Sequence, residues 1–143
     1  MRVVFDASTV VGAALKVDGV PRRALLAGRE RHTFALSEPV MAEIAEVLRR
    51  PKFARAVTEE IREGILALLT AAAVWVEPAE PITDCRDAKD NKYLELALAA
   101  GADVVVSSDE DLLALDPWRG VRILQPRDFL AAETREEASE KTG

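Results

Sequence analysis

Short apolar runs, each closed by a polar or charged residue, alternate along the chain with longer stretches of helical periodicity. Arg2–Phe5 is the first run, rich in β-branched residues and ended by Asp6, and it reads as a buried strand. Thr33–Leu36, residues 74–76, 102–106 and 121–124 read as four more strands. Between them, Ser8 is placed to cap a helix over residues 9–15, and Pro21 stands in the first turn of a helix over 21–28. Ser37 opens a helix in which Val40, Ile44, Val47 and Leu48 recur at helical spacing, until Pro51 ends it. Thr58 caps the next helix, where Ile61, Ile65, Leu66 and Leu69 form the apolar stripe. Residues 90–100 make an amphipathic helix closed by Gly101, followed by helices over 109–115 and 126–132. Strands that alternate with helices need crossover connections. The fold class predicted is therefore α/β: a three-layer α/β/α sandwich with a mostly parallel central sheet.

The length of 143 residues and the 49% hydrophobic, 31% charged balance fit one globular domain, expected over residues 1–132. Residues 133–143 are charged and lack large apolar side chains, and they are expected to be a frayed helix or a disordered tail. No apolar stretch is long enough to span a bilayer, and the start of the chain lacks a signal-peptide layout. A single cysteine, Cys85, excludes an intramolecular disulfide and suits a reducing compartment, so the cytoplasm is the expected location. Cys85 has no visible partner for nucleophilic chemistry. The net charge of −6 argues against adhesion to nucleic acid through phosphate contacts alone. The lone His32 excludes a multi-histidine zinc site and a two-histidine acid–base mechanism, and it is expected to be non-catalytic.

In a parallel sheet, functional groups collect at the carboxyl ends of strands. Asp6 ends the first strand, and Asp109 follows residues 104–106 after two serines. Asp90 opens one helix and Glu43 lies one turn inside another. Taken singly, Asp90 has an ordinary explanation as a helix cap and Glu43 as a solvated helix residue. Asp6 is harder to explain away, because a carboxylate ending a buried strand must be paired, capped or metal-bound. Brought together, such acids repel and raise one another's pKa, and a hard divalent cation relieves this. A bound Mg²⁺ or Mn²⁺ activates water and offsets charge on a phosphoryl group, so phosphodiester hydrolysis on this route needs no histidine.

Four segments resemble the PIN domain, a metal-dependent nuclease fold, and in particular its short bacterial and archaeal members, which include toxins of VapBC-type toxin–antitoxin pairs. Val3-Val4-Phe5-Asp6-Ala7-Ser8 is similar to the opening strand with its Asp and following small polar residue. The stretch from Ser37 through Glu43 to Leu48 resembles the helix bearing the second acid, and Asp87-Ala88-Lys89-Asp90-Asn91-Lys92-Tyr93-Leu94 the third acid and its alanine-rich helix. Val104-Val105-Val106-Ser107-Ser108-Asp109 resembles the fourth segment, with serine where the family commonly has threonine. The stretch from Val121 to Leu130 is similar to the closing strand and helix. The resemblance implies catalytic metal ligands at Asp6, Glu43, Asp90 and Asp109, support from Asp111, and orienting hydroxyls at Ser8 and Ser107. Asp87 competes with Asp90 for the third ligand, and Asp90 is preferred because its spacing to Leu94 and Ala97 matches the family helix. Glu43 is preferred over Glu46 on the same alignment. The implied activity is Mg²⁺- or Mn²⁺-dependent cleavage of RNA to a 5′-phosphate and a 3′-hydroxyl. The implied partners are RNA, a small antitoxin and a second copy of the chain in a homodimer.

Arg49, Arg50, Lys52 and Arg55 cluster around Pro51 at a helix end, either as dipole partners in water or as contacts for RNA phosphates. Arg22, Arg23, Arg29 and Arg31 form a second such cluster. Trp75 and Trp118 have the surface to stack on bases, but Trp75, flanked by strand residues, is expected in the core. Two other functions compete. An Asp ending a first strand can be phosphorylated, but the haloacid-dehalogenase pattern wants a second Asp where Ser8 stands, and a receiver wants an early acidic pair and a late lysine. The other competitor is a PIN-like scaffold that binds RNA or protein without cutting.

Overall fold

The computed structural model describes residues 1–142, with side chains through Arg135. Its centre is β1 (Arg2–Phe5), paired in parallel with β2 (Thr33–Leu36) on one side and β4 (Val104–Val106) on the other. The outer strands β3 (Ala73–Trp75) and β5 (Arg122–Leu124) complete the order β3-β2-β1-β4-β5, with every pair parallel. The chain thus builds outward from β1 to β3 and returns across the sheet to β4. Connections leave β1 and β4 in opposite directions, which opens a crevice at their carboxyl ends. The register pairs Phe5 with Val106, so Asp6 and Ser107 emerge side by side, and the Asp6 amide donates to the Val106 carbonyl at 3.1 Å.

The first helix, α1 (Ala7–Leu15), begins two residues earlier than the sequence pattern indicates. Its cap is Asp6, whose carboxylate accepts the Thr9 amide, and not Ser8, whose hydroxyl turns back to Asp6 instead. Strand and helix are joined without a loop, and this places the carboxylate. α2 (Val20–Arg31) carries a proline in its first turn, and α3 (Glu38–Leu48) is capped by Ser37 as its sequence indicates. Pro51 ends α3 by opening a single 3-10 turn, Pro51–Phe53. Thr58 caps α4 (Glu59–Ala72). Another 3-10 turn, Ala88–Asp90, leads into α5 (Asn91–Ala100), which stops at Gly101 with φ +62°, a conformation that favours glycine. α6 (Glu110–Leu113) follows β4, and α7 (Pro126–Thr142) follows β5.

Phe5 marks one face of the sheet. Its ring meets Phe34 at 5.5 Å and Phe129 at 6.0 Å between centroids, and it lies so close to Gly28 that a Cβ there would strike it. α2 and α7 therefore cover this face and touch each other. The return crossover through α5 runs in the opposite direction, and right-handed connections then put it on the opposite face, where it touches β1, β2 and β4. Tyr93, Leu94, Leu96 and Ala97 of α5 are fully buried there.

Trp75, expected in the core, is 45% exposed and its neighbour Val74 is 46% exposed. The reason is topological: β3 is an edge strand, so flanking strand residues do not bury it. Helix α7 continues past residue 132, and Glu133 is buried against His32 of the α2–β2 junction. Among the described residues no helix is long and apolar enough to cross a membrane.

Candidate functional site

Asp6 is 3% exposed and almost wholly enclosed by donors. Ser8 Oγ donates to its Oδ1 at 2.7 Å, the Thr9 amide and Thr9 Oγ1 each donate to Oδ1 at 3.0 Å, and Ser107 Oγ donates to Oδ2 at 2.5 Å. Burial pushes the Asp6 carboxyl above its ordinary range, against these hydrogen bonds, which hold it down. Ser8 and Ser107 thus both orient Asp6, and each also fixes the next loop. Ser107 Oγ accepts the Asp109 amide at 2.9 Å, and Ser8 Oγ accepts the Ser108 amide at 3.2 Å.

Asp109 caps α6, its Oδ1 accepting the Asp111 amide at 2.8 Å. Asp111 therefore touches Asp109 through its backbone, in the first turn of the same helix. Asp90 closes the 3-10 turn before α5 and is 5% exposed. Its Oδ2 is buried and has no hydrogen-bond partner. Burial, together with the nearby carboxylates of Asp109, Asp87 and Glu43, raises its carboxyl to about 7. Asp87 instead caps the 3-10 turn and pairs with Lys89 at 3.7 Å.

Glu43 projects from α3 and has both oxygens engaged. Tyr93 donates its hydroxyl to Oε1, and the Lys92 ammonium pairs with Oε2. The same Tyr93 hydroxyl accepts the Ala7 amide at 3.1 Å, directly after Asp6, so one phenol links α3, α5 and the end of β1. Burial and the bond to Glu43 both keep this phenol protonated.

Asp6, Glu43, Asp90 and Asp109 line one open groove of about 430 Å³, with Ser8, Tyr93 and Lys89 beside them. Asp87 and Glu46 do not line it. Of the first basic cluster, Arg50 and Lys52 reach the groove wall. Arg49 faces a neighbouring hollow, and Arg55 is exposed elsewhere. Arg50 is also paired with Glu46 at 3.0 Å. In the second cluster, Arg22 donates to the Ala13 carbonyl at 2.8 Å and Arg31 lies 3.6 Å from Glu133. Neither tryptophan enters the groove, and Trp118 is buried with its indole N–H on Asp84. His32 is far from it, paired with Glu133.

Sequence reasoning passed over Lys92 and Tyr93, whose contacts with Glu43 span 49 and 50 residues. The available signal was their place within one turn of Asp90, where α5 aims its first side chains at the same crevice. An oxygen-only donor set and a buried carboxylate oxygen lacking any partner suit a hard divalent cation. Among the described residues, no three His, Cys, Asp or Glu side chains stand together as a ready metal-binding group. The acids face a shared groove in which Glu43 is held by a lysine.

Comparison with known proteins agrees with this fold. The chain is 29% identical over 119 residues to the uncharacterized protein MJ1680 of Methanocaldococcus jannaschii, covering 80% of this chain and 75% of that protein. Its fold is similar to PAE2754 from Pyrobaculum aerophilum, with a TM-score of 0.58 at 18% identity over 94% of this chain and 90% of that one. It is also similar to VapBC2 from Rickettsia felis, solved bound to a DNA fragment from its promoter. There the TM-score is 0.57 at 14% identity, over 86% of this chain and 97% of that one. Residues 2–111, which include all four groove carboxylates, match the family model for the PIN domain, and the chain belongs to that family.

Proposed function

We propose that the protein is a divalent-metal-dependent endoribonuclease, the toxin half of a toxin–antitoxin pair, with its active site in the groove of Asp6, Glu43, Asp90 and Asp109. The observation that carries this reading is the buried, partnerless Oδ2 of Asp90, whose burial, together with the nearby carboxylates, raises the pKa of the group to about 7. A site so short of positive charge gains most from a bound cation. Asp6, Asp90 and Asp109 would hold a Mg²⁺ or Mn²⁺ ion with Glu43 direct or through water, and the ion supplies the Lewis-acid chemistry that activates water and offsets phosphoryl charge.

The chain's own residues do the rest. Ser107, Ser8 and Thr9 hold Asp6 in one orientation. The α6 amides hold Asp109, and Tyr93 sets Glu43 against the β1–α1 junction. Arg50 and Lys52 on the groove wall attract RNA phosphates that the acidic floor would repel. Hydrolysis joins a water oxygen to phosphorus, breaks the bond to the 3′ oxygen, and leaves a 5′-phosphate and a 3′-hydroxyl. The likeness in fold to the Rickettsia VapBC2 complex supports a small antitoxin partner, the family resemblance a homodimer, and the single cysteine a cytoplasmic location.

The experiment is cleavage of a mixed structured RNA by the purified protein with Mg²⁺ or Mn²⁺, with EDTA, and with an Asp6→Asn variant. Cutting that needs the metal and is lost in the variant supports the reading. A folded protein that neither cuts nor binds Mn²⁺ overturns it. One observation favours a second reading, a binding scaffold: Glu43 is already neutralised by Lys92. Retention of the RNA on a filter without metal-dependent cutting would favour that scaffold.

A further inference from the structure

Lys92 occupies an unusual position for a protein that needs a cation in its groove. Its ammonium pairs with Glu43 Oε2, while Tyr93 takes Oε1, so this acid, whose counterpart Asp6 is held by hydroxyls and an amide, is held by a cation of the protein itself. Both partners are half-buried, at 24% and 18% side-chain exposure, which shelters the pair from solvent screening. Tyr93 fixes the direction of the carboxylate by its second bond to the Ala7 amide. Asp90, two residues before Lys92, has the opposite condition: its Oδ2 has no partner. The lysine therefore neutralises the acid on α3, whereas Oδ2 of the acid at the start of α5 has no hydrogen-bond partner.

We infer that Lys92 is a positioning residue that serves as a built-in counter-cation: it holds Glu43 through an ion pair and competes with a divalent metal ion for that carboxylate. The inference rests on the metal-site reading given under the proposed function. A cation that recruits Glu43 must break the pair, so Lys92 lowers the affinity of the groove for metal and leaves Asp6, Asp90 and Asp109 to bind first. Lys89 supplies the internal comparison. It lines the same groove with the same charge, but it pairs with Asp87 and does not touch Glu43.

The test is Mn²⁺ binding by isothermal titration calorimetry, which needs no turnover. The proteins are wild type, Lys92→Met, Lys92→Gln, Lys89→Met, Glu43→Gln, the Lys92→Met/Glu43→Gln double variant and Asp90→Asn. Coupled neighbours show interaction energies that correspond to about twofold to a hundredfold in affinity, so Lys92→Met and Lys92→Gln should bind Mn²⁺ tighter by at least about twofold. Lys89→Met should gain clearly less, and the gain from Lys92→Met should vanish in the Glu43→Gln background. Unchanged or weaker binding by both Lys92 variants overturns the inference, as does a gain equal to that of Lys89→Met or one that persists without Glu43. Asp90→Asn separates the two levels of argument. If it loses Mn²⁺ while the Lys92 variants behave as wild type, only the role of Lys92 fails. If it binds as wild type does, the cation lies elsewhere and the site reading fails. No binding by any protein overturns both.

Discussion

Ser107 donates its hydroxyl to Asp6 Oδ2 at 2.5 Å, joining residues 101 apart in sequence at the ends of two neighbouring strands. The same oxygen accepts the amide of Asp109 at 2.9 Å. One buried hydroxyl therefore fixes two of the four groove carboxylates relative to each other. A parallel β1–β4 pair makes this arrangement available: its register sets Phe5 against Val106, and the next residue of each strand is then a carboxylate and a hydroxyl within reach.

Ser107→Ala should destabilise the fold by about 1–3 kcal/mol, because the Asp109 amide and Asp6 Oδ2 both lose a partner in a buried place. Ser107→Thr keeps the hydroxyl and should cost well under half of that. Urea unfolding at constant m-value measures the difference. Loss of this bond also removes one of the contacts that lower the Asp6 pKa, so the alanine variant should need a higher pH to bind Mn²⁺ than wild type does.

The Asp90 carboxyl, raised from 3.8 to about 7, makes a prediction about stability and pH. A folded-state pKa above the unfolded value means that the native state holds more protons between pH 4 and 7, so the stability it contributes is fully present below about 4 and lost as pH rises through about 7. Asp6, raised by burial, acts in the same direction. Without divalent cations the protein should therefore lose stability from pH 5 to pH 8, and Asp90→Asn should flatten that loss. Millimolar Mn²⁺ should reverse the slope, since a cation favours the ionised carboxylates. Thermal unfolding across this pH range, with Mn²⁺ or with EDTA, checks both signs.

The strands and most helix starts were legible in the sequence, because each is signalled by neighbours in the chain. The runs that became β1 and β4 are short, apolar and closed by polar residues, and Ser37 and Thr58 both stand as caps before helical periodicity. The PIN resemblance located four acids that the structure brings to one groove. What local pattern does not carry is the choice between two adjacent capping residues. Asp6 took the cap because the chain turns directly from strand into helix, and Ser8 was left to orient Asp6. The exposure of Trp75 depends on β3 being an edge, which is a property of strand order and not of the three residues around it. The Lys92–Glu43–Tyr93 arrangement was hidden for a similar reason: it needs α3 and α5 to be side by side, and nothing near Glu43 in sequence announces that.

Helix α7 is attached to the domain by a buried histidine–carboxylate contact, His32 Nε2 with Glu133 Oε1, with Arg31 at 3.6 Å from the other oxygen. His32→Ala leaves that carboxylate short of its main partner and removes the ring that packs 5.8 Å from Phe129. The expected cost is about 3 kcal/mol, the scale for leaving a buried carboxylate short of its hydrogen-bond partner. Replacing both members, His32→Leu with Glu133→Leu, should recover most of it, since the desolvated charge disappears with its partner. Denaturant midpoints for the single and double variants test this. A single variant within 1 kcal/mol of wild type would mean that the pair contributes little to holding α7.

RNA binding should depend on position within the basic cluster and not on its total charge. Lys52 lines the groove with its ammonium 5.0 Å above the Phe53 ring, so it is placed to meet a phosphate entering over that wall. Arg50 lines it too, but its guanidinium already holds Glu46. Arg55 does not line the groove. Binding of single-stranded RNA by the Asp6→Asn protein, which separates binding from cutting, should weaken as salt rises. For each phosphate contact removed, the slope of log K against log salt should shrink by about 0.7. Lys52→Ala should therefore reduce the slope by about that amount, Arg50→Ala by less because Glu46 competes for its charge, and Arg55→Ala should leave it unchanged. Equal reductions for all three would mean that the RNA senses only diffuse positive charge. No reduction for Lys52→Ala would move the RNA path to another wall of the groove.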